Sequence, residues 1–191
     1  EFFLVSSSEV YQDPPSYPTD ETVPLVVPDV TNSRYSYGAG KIASEVATLA
    51  YAHAGVFKRA VIVRPHNVYG PDMGSDHVIP QFAMRMAALE GSEFPIQGTG
   101  EETRCFCHID DCIDGLMVLL EKGEDRNVYH LGDNSEEITM RDLAHLIAQW
   151  FGRDITVVPG ELPKGSPVRR LPDILKMQHL GYQPKVWLTD G

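Results

Sequence analysis

Residues 34–45 read RYSYGAGKIASE. Tyr37 and Lys41 stand four apart where a helical pattern begins. On a helix that spacing puts both side chains on one face. An ammonium a few ångströms from a phenol favours the phenolate, and a phenol so tuned takes a proton from a hydroxyl or returns one. The pair alone equally suits a solvated helix face, so its surroundings decide the matter. From Tyr37 to about Ala54, the residues Ile42, Val46, Leu49 and Ala50 share one side, and Gly55 follows as a stop signal.

Upstream, EFFLVSSSEVY (residues 1–11) opens with an apolar, aromatic and β-branched run, Phe2–Val5, that predicts a short buried strand. Three serines, Glu9 and Tyr11 come next, then a Pro-, Asp- and Ser-rich stretch over residues 12–35. Unstructured segments of that length usually carry function. Downstream, RAVIVRP (residues 59–65) is nearly all apolar, as a parallel strand covered on both faces should be.

A Gly/Pro/Asp loop follows, then a helix over Val78–Leu89 and short strands in FPIQG and TRCFCHI. A helix from Asp111 is expected to face inward with Ile113, Leu116, Met117 and Leu120. After the strand-like NVYHLGD, Thr139 and Asp142 resemble a capping box. They open a helix to about Phe151 with Leu143, Leu146, Ile147 and Trp150 inward, and DITVVP then reads as a strand. Strands and helices alternate, which predicts an α/β protein.

The chain has 191 residues, 42% hydrophobic and 23% charged, with a net charge of −11. These values suit a globular protein and argue against nucleic acid as a partner, because phosphate backbones want a basic surface. No apolar run approaches the ~20 residues that span a bilayer, so no membrane segment is expected. The N-terminus has no basic lead-in of the signal-peptide kind, and both ends read as cut from a longer chain.

Cys105, Cys107 and Cys112 are odd in number and clustered, which suggests reduced thiols and a cytoplasmic location. A zinc site through Cys105, Cys107 and His108 fits poorly, since the spacing is Cys-x-Cys and no second ligand pair follows, so no metal is expected. YGAGK is not a phosphate loop, because it lacks the G-x-x-x-x-G-K-[ST] pattern.

Taken in order, SSSEVY, the Tyr37/Lys41 pair, VIVRPHNVYGP, GTGEETRCFCHIDD and VRRLPDILKMQHLGYQPKVWLTDG resemble the extended short-chain dehydrogenase/reductases. The closest likeness is to their NAD-dependent nucleotide-sugar epimerases and dehydratases, and it covers essentially the whole chain. The resemblance implies the C-terminal portion of a Rossmann-type doubly wound parallel sheet plus a small α/β substrate-binding lobe. Residues 1–70 would be the remaining part of the NAD-binding domain. Residues 71–191 would be mainly the nucleotide-sugar lobe, interleaved with the first part near 110–135.

The family's glycine-rich strand–helix turn, which holds the NAD pyrophosphate, is not found in these residues. NAD is therefore the implied cofactor, with its main pyrophosphate-binding segment outside this chain. The upstream half of such enzymes normally supplies a dimer-interface helix, so a homodimer is consistent with the resemblance.

The family resemblance assigns roles residue by residue. Tyr37 would be the base at the sugar C4 hydroxyl, and Lys41 would hold the cofactor ribose. Ser7 would bond the reacting oxygen, and Ser8 and Glu9 would complete the catalytic set. Pro65 and His66 would lie along the cofactor. Asn67, His77, Val78, Arg104 and Arg170 would face the nucleotide sugar, arginine suiting phosphate through its two-pronged donor geometry. Gln97 stands where uridine-binding relatives often place a stacking aromatic, which leaves the base open.

At positions 8 and 9, dehydratases of the family carry Asp-Glu, decarboxylases often Ser-Glu, and 4-epimerases commonly a non-acidic second residue. The first expectation is a nucleotide-sugar 4-epimerase acting through a keto intermediate. The alternatives are a 4,6-dehydratase, a uronic acid decarboxylase, or a non-catalytic nucleotide-sugar-binding module.

Overall fold

A computed structural model describes residues 1–191. The elements run β1 (Phe2–Val5), α1 (Ser36–His53), β2 (Ala60–Pro65), β3 (Val68–Tyr69), α2 (Val78–Ala87), β4 (Glu93–Pro95), β5 (Thr103–Cys105), β6 (Cys107–His108) and α3 (Ile109–Lys122). They continue with β7 (Asn127–Leu131), β8 (Glu137–Thr139), α4 (Met140–Trp150), β9 (Thr156–Val158), β10 (Arg169–Arg170) and α5 (Leu175–His179). Short 3-10 turns at Ser8–Val10 and Ser33–Tyr35 bracket the long loop.

The parallel sheet has the order β1-β2-β7, with Val5 opposite Val63 and Val63 opposite Tyr129. Ala60, Val61, Ile62 and Val63 are all buried, as the unbroken apolar run requires. Around it pack Cys112 and Leu119 of α3, Tyr129 and Leu131 of β7, and Ile174, Met177 and Tyr182 near the C-terminus. The segment from Ile174 to Tyr182 thus shares the core of the first sheet. A second core gathers Phe82 and Met86 of α2, Phe94 of β4, and Leu143 and Ile147 of α4. Small sheets β10-β5-β8, β3-β6 and β4-β9 complete this half.

Three inward faces differ from the periodicity. On α1 the buried positions are Gly38, Glu45, Thr48 and Ala52, while Val46 is exposed. The reason is a buried ion pair: Glu45 turns inward to meet Arg64 of β2. On α3 the buried residues are Asp111, Cys112, Gly115 and Leu119, while Ile113, Met117 and Leu120 are exposed. Here Gly115 admits Leu131 and Tyr182 into the space a side chain would fill. On α4 the expected Leu143 and Ile147 are buried, whereas Trp150 at the helix end is 53% exposed. The Thr139 cap forms as read, its Oγ1 accepting the Asp142 N–H at 3.0 Å.

The three cysteines are buried and unpaired by disulfide. Burial pushes the Cys105 and Cys107 thiols up to about 12 and Cys112 up to about 11, so all three stay protonated near neutral pH. His108 caps α3, its Nδ1 accepting from Asp110 N–H at 3.3 Å. No helix is long and apolar enough to cross a membrane.

Candidate active site

The carboxyl ends of β1 and β2 open on one side of the sheet, where open α/β sheets place their ligands. After β1 the chain tightens at once into the Ser8–Val10 turn, capped by Ser7, whose Oγ accepts the Glu9 N–H at 3.2 Å. The start of α1 presses onto this turn. A Cβ at Gly38 would lie 2.8 Å from the Glu9 carbonyl oxygen and 2.5 Å from Gln12 Nε2, so only glycine allows the approach. Tyr37, its neighbour, is thereby brought to the same cleft as Ser7, Ser8 and Glu9.

These residues line a cleft of ≈ 620 Å³. Lys41 lies in it one helical turn from Tyr37, with Nζ 5.6 Å from the Tyr37 ring centroid and donating to the Val5 carbonyl at 2.9 Å. Pro65 and Asn67 enter from the end of β2, and His77 and Val78 from the start of α2. Asn67 takes φ +39° and donates from Nδ2 to the Cys105 carbonyl at 2.8 Å, joining β2 to the second half of the chain. His66 does not line this cleft; it is buried behind it.

Arg170 closes the far wall. Its Nη2 lies 2.6 Å from Glu9 Oε1. The long loop secures this wall, since Thr19 N–H donates to the Leu171 carbonyl at 2.8 Å and the Thr19 carbonyl accepts from Asp173 N–H at 2.7 Å. Parallel pairing of β10 with β5 sets Arg170 beside Arg104.

Arg104 belongs to an adjoining cleft of ≈ 670 Å³ with Gln97, and Arg34 and Val78 line both clefts. Its guanidinium donates to the Thr103 carbonyl at 2.6 Å and the Pro167 carbonyl at 2.7 Å. Burial, then the like charge of Arg170, lowers the Arg104 pKa to about 10, still well above neutrality.

The sequence reading passed over Arg34. It precedes Tyr37 by three residues, a spacing that signals a shared face, and its Nε donates to the Gly165 carbonyl at 3.0 Å. The reading also passed over a buried polar chain beneath the cleft. Glu45 accepts from Ser6 Oγ at 2.5 Å and from Arg64 Nε and Nη2 at 2.9 and 2.6 Å. Arg64 Nη1 donates to the Tyr11 hydroxyl, which lies 2.6 Å from His130 Nε2, and His130 Nδ1 meets the Asp173 carbonyl at 3.0 Å. The available signal was a lone arginine in an otherwise apolar strand.

Burial holds His130 down at about 4. An unfolded imidazole titrates near 6.5, so between these values the unfolded chain binds the extra proton. The contribution is fully present above about pH 6.5 and is lost as pH falls toward 4, amounting to about 3 kcal/mol. His66, which burial also holds well below its ordinary value, acts in the same direction. Urea unfolding at pH 7, 5.5 and 4 should therefore show falling stability, with a shallower fall in His130→Gln. Equal slopes in the two proteins would contradict this account.

Residues 1–132 match the NAD dependent epimerase/dehydratase family. The chain belongs to that family. It is 36% identical over 192 residues to UDP-glucuronic acid decarboxylase 5 of Arabidopsis thaliana, covering 98% of this chain and 54% of the relative. It thus spans about half the length of the curated relatives it matches.

Among solved members of the family, a UDP-glucuronic acid 4-epimerase from Bacillus cereus, in complex with UDP-glucuronic acid and NAD, superposes with a TM-score of 0.87 at 28% identity. That match covers 100% of this chain and 58% of the epimerase. The dTDP-glucose 4,6-dehydratase DesIV from Streptomyces venezuelae, solved with NAD bound, gives 0.85 at 30% identity, covering 99% of this chain and 56% of the dehydratase. The fold is the Rossmann-type fold of these enzymes.

Proposed function

We propose that this chain carries the catalytic residues of an NAD-dependent enzyme that oxidises a nucleotide sugar at C4, and that its reaction is decarboxylation of a nucleoside diphosphate hexuronic acid. The observation that carries the reading is the Glu9–Arg170 ion pair, 2.6 Å long, in the wall of the cleft that holds Tyr37. Two UDP-glucuronic acid decarboxylases of Arabidopsis thaliana, at 35–36% identity, support it. The 4-epimerase expectation is disfavoured by the acid at position 9, and a 4,6-dehydratase by Ser8 in place of aspartate.

The residues present fit the cofactor. Lys41 has three donor protons, of which the Val5 carbonyl takes one, leaving two for ribose hydroxyls. Bound NAD supplies the chemistry of accepting a hydride from C4 and later returning it. Tyr37, 56% exposed at the cleft, takes the proton from the C4 hydroxyl, and Ser7 bonds the same oxygen. The resulting ketone is β to the uronate carboxylate.

Arg170 holds that carboxylate while sharing its charge with Glu9, so the substrate anion is incompletely neutralised and its departure as neutral CO2 is favoured. The C5–C6 bond breaks, its electron pair becomes a C4 enolate, and C5 takes a proton from solvent water relayed through the Ser8 hydroxyl, which regains a proton from that water as it gives its own up. Tyr37 then returns its proton to the C4 oxygen. Arg34, at the junction of the two clefts, and the start of α2 suit the diphosphate, and Arg104 and Gln97 lie toward the nucleoside.

In the full-length enzyme, Glu9→Gln should cut product formation by about 10²-fold or more while the 340 nm absorbance of reduced cofactor still appears. Unchanged product formation would overturn the assignment of Glu9.

A further inference from the structure

His66 has no role in the chemistry above, and its surroundings are unusual. It is 3% exposed, and neither Nδ1 nor Nε2 has a hydrogen-bond partner. A neutral imidazole offers one donor and one acceptor, and leaving such groups bare in the interior is unfavourable. The neighbouring ring cannot satisfy it. His130 packs edge-on at 4.6 Å, but its nitrogens are already taken by the Tyr11 hydroxyl and the Asp173 carbonyl. The other charged groups that act on His66 are Arg64 and Arg170, both cationic. With burial, they keep the ring neutral, so it retains one donor and one acceptor.

Beside His66 lies a cavity of ≈ 10 Å³, walled by Ser8, Tyr11, Gln12, Thr19 and Arg170 as well as by His66 itself. About 10–15 Å³ is the space one water needs, provided two to four polar groups face it. The volume excludes a sugar or a phosphate; Pro14 and Leu171 give the wall apolar surface, and Ser8, Gln12, Thr19, His66 and Arg170 bring polar side chains to it. Ser8 and Arg170 face both this cavity and the catalytic cleft. The cavity is thus separated from the cleft by two residues to which the decarboxylation assigns work.

We propose that the cavity holds one ordered water bonded to His66, and that through this water His66 is a positioning residue for Arg170 and Ser8. The water stands on the cavity and the unpaired ring alone; its kinetic consequence rests on the proposed function. The water adds a second polar arm behind the cleft, which meets the first only where the His66 and His130 rings pack edge-on. One arm runs from Ser6 through Glu45, Arg64 and Tyr11 to His130, and the other runs from His66 to Ser8 and Arg170.

A high-resolution crystal structure of the full-length enzyme tests it. The expected result is one density peak roughly 2.6–3.2 Å from a His66 ring nitrogen and from Ser8 or Arg170. An empty cavity overturns the proposal. His66→Phe removes both nitrogens; the peak should vanish and kcat fall about tenfold or more with KM changed less than about twofold. His66→Asn, which keeps a donor and an acceptor, should retain the peak and restore at least about half the turnover. A peak present in the wild type with unchanged kcat in His66→Phe overturns the positioning role. If Glu9→Gln proves harmless, the proposed function fails on its own, and the density still decides the water.

Discussion

Tyr37→Phe in the full-length enzyme is expected to lower kcat by about 10³-fold, with little change in affinity for the nucleotide sugar. The substitution removes one oxygen. That oxygen makes no hydrogen bond within the chain and sits in a largely exposed side chain, so neither fold nor cleft shape depends on it. On the proposed mechanism what is lost is the group that moves the C4 hydroxyl proton, and such groups contribute typically 10²–10⁴-fold. Unfolding free energies of variant and wild type should agree within roughly 0.5 kcal/mol, the usual range for an exposed position away from packing. Single-turnover formation of reduced cofactor reads the effect directly; turnover within about tenfold of wild type would remove Tyr37 from the chemistry.

The second large effect falls on stability. Glu45→Leu should destabilise the protein by about 3–5 kcal/mol, because it leaves the Arg64 guanidinium buried and uncompensated. Arg64 and Glu45 are each about 95% buried and joined by two hydrogen bonds, at 2.9 and 2.6 Å. Ser6, just before the Ser8–Val10 turn, loses its acceptor as well. Replacing both members by apolar residues removes both charges, and Glu45→Leu/Arg64→Met should recover most of the loss. Urea unfolding of the two variants measures this. A single variant costing under about 1 kcal/mol, or a double variant no better than the single, would contradict the account.

Much of the site was legible in the sequence because its parts are local. Tyr37 and Lys41 are one helical turn apart, and Ser7, Ser8 and Glu9 are consecutive at the end of a strand, so spacing alone brings each group together. The pairing of Glu9 with Arg170 was not legible, since it depends on β10 lying beside β5 and on the long loop bonding to residues 171–173. The same holds for Glu45 with Arg64. An apolar periodicity assigns Val46 to the core of α1, but a charge matched across the packing interface reverses the face. On α3 the misreading has a steric cause, because Gly115 and Cys112 look uninformative in sequence yet are what lets Leu131 and Tyr182 come close. His66 stood in a motif that named it for the cofactor, and nothing local showed that it is buried beside the small cavity.

The fate of a single carbon tests the central claim most directly. The full-length enzyme with NAD would be given nucleoside diphosphate glucuronic acids labelled with carbon-13 at C6, with uridine, thymidine and guanosine as the bases, and followed by NMR. The account predicts labelled CO2 and a pentose nucleotide from at least one of them. Label retained in a C4-epimerised hexuronate, or turnover of neutral hexose nucleotides alone, would contradict it.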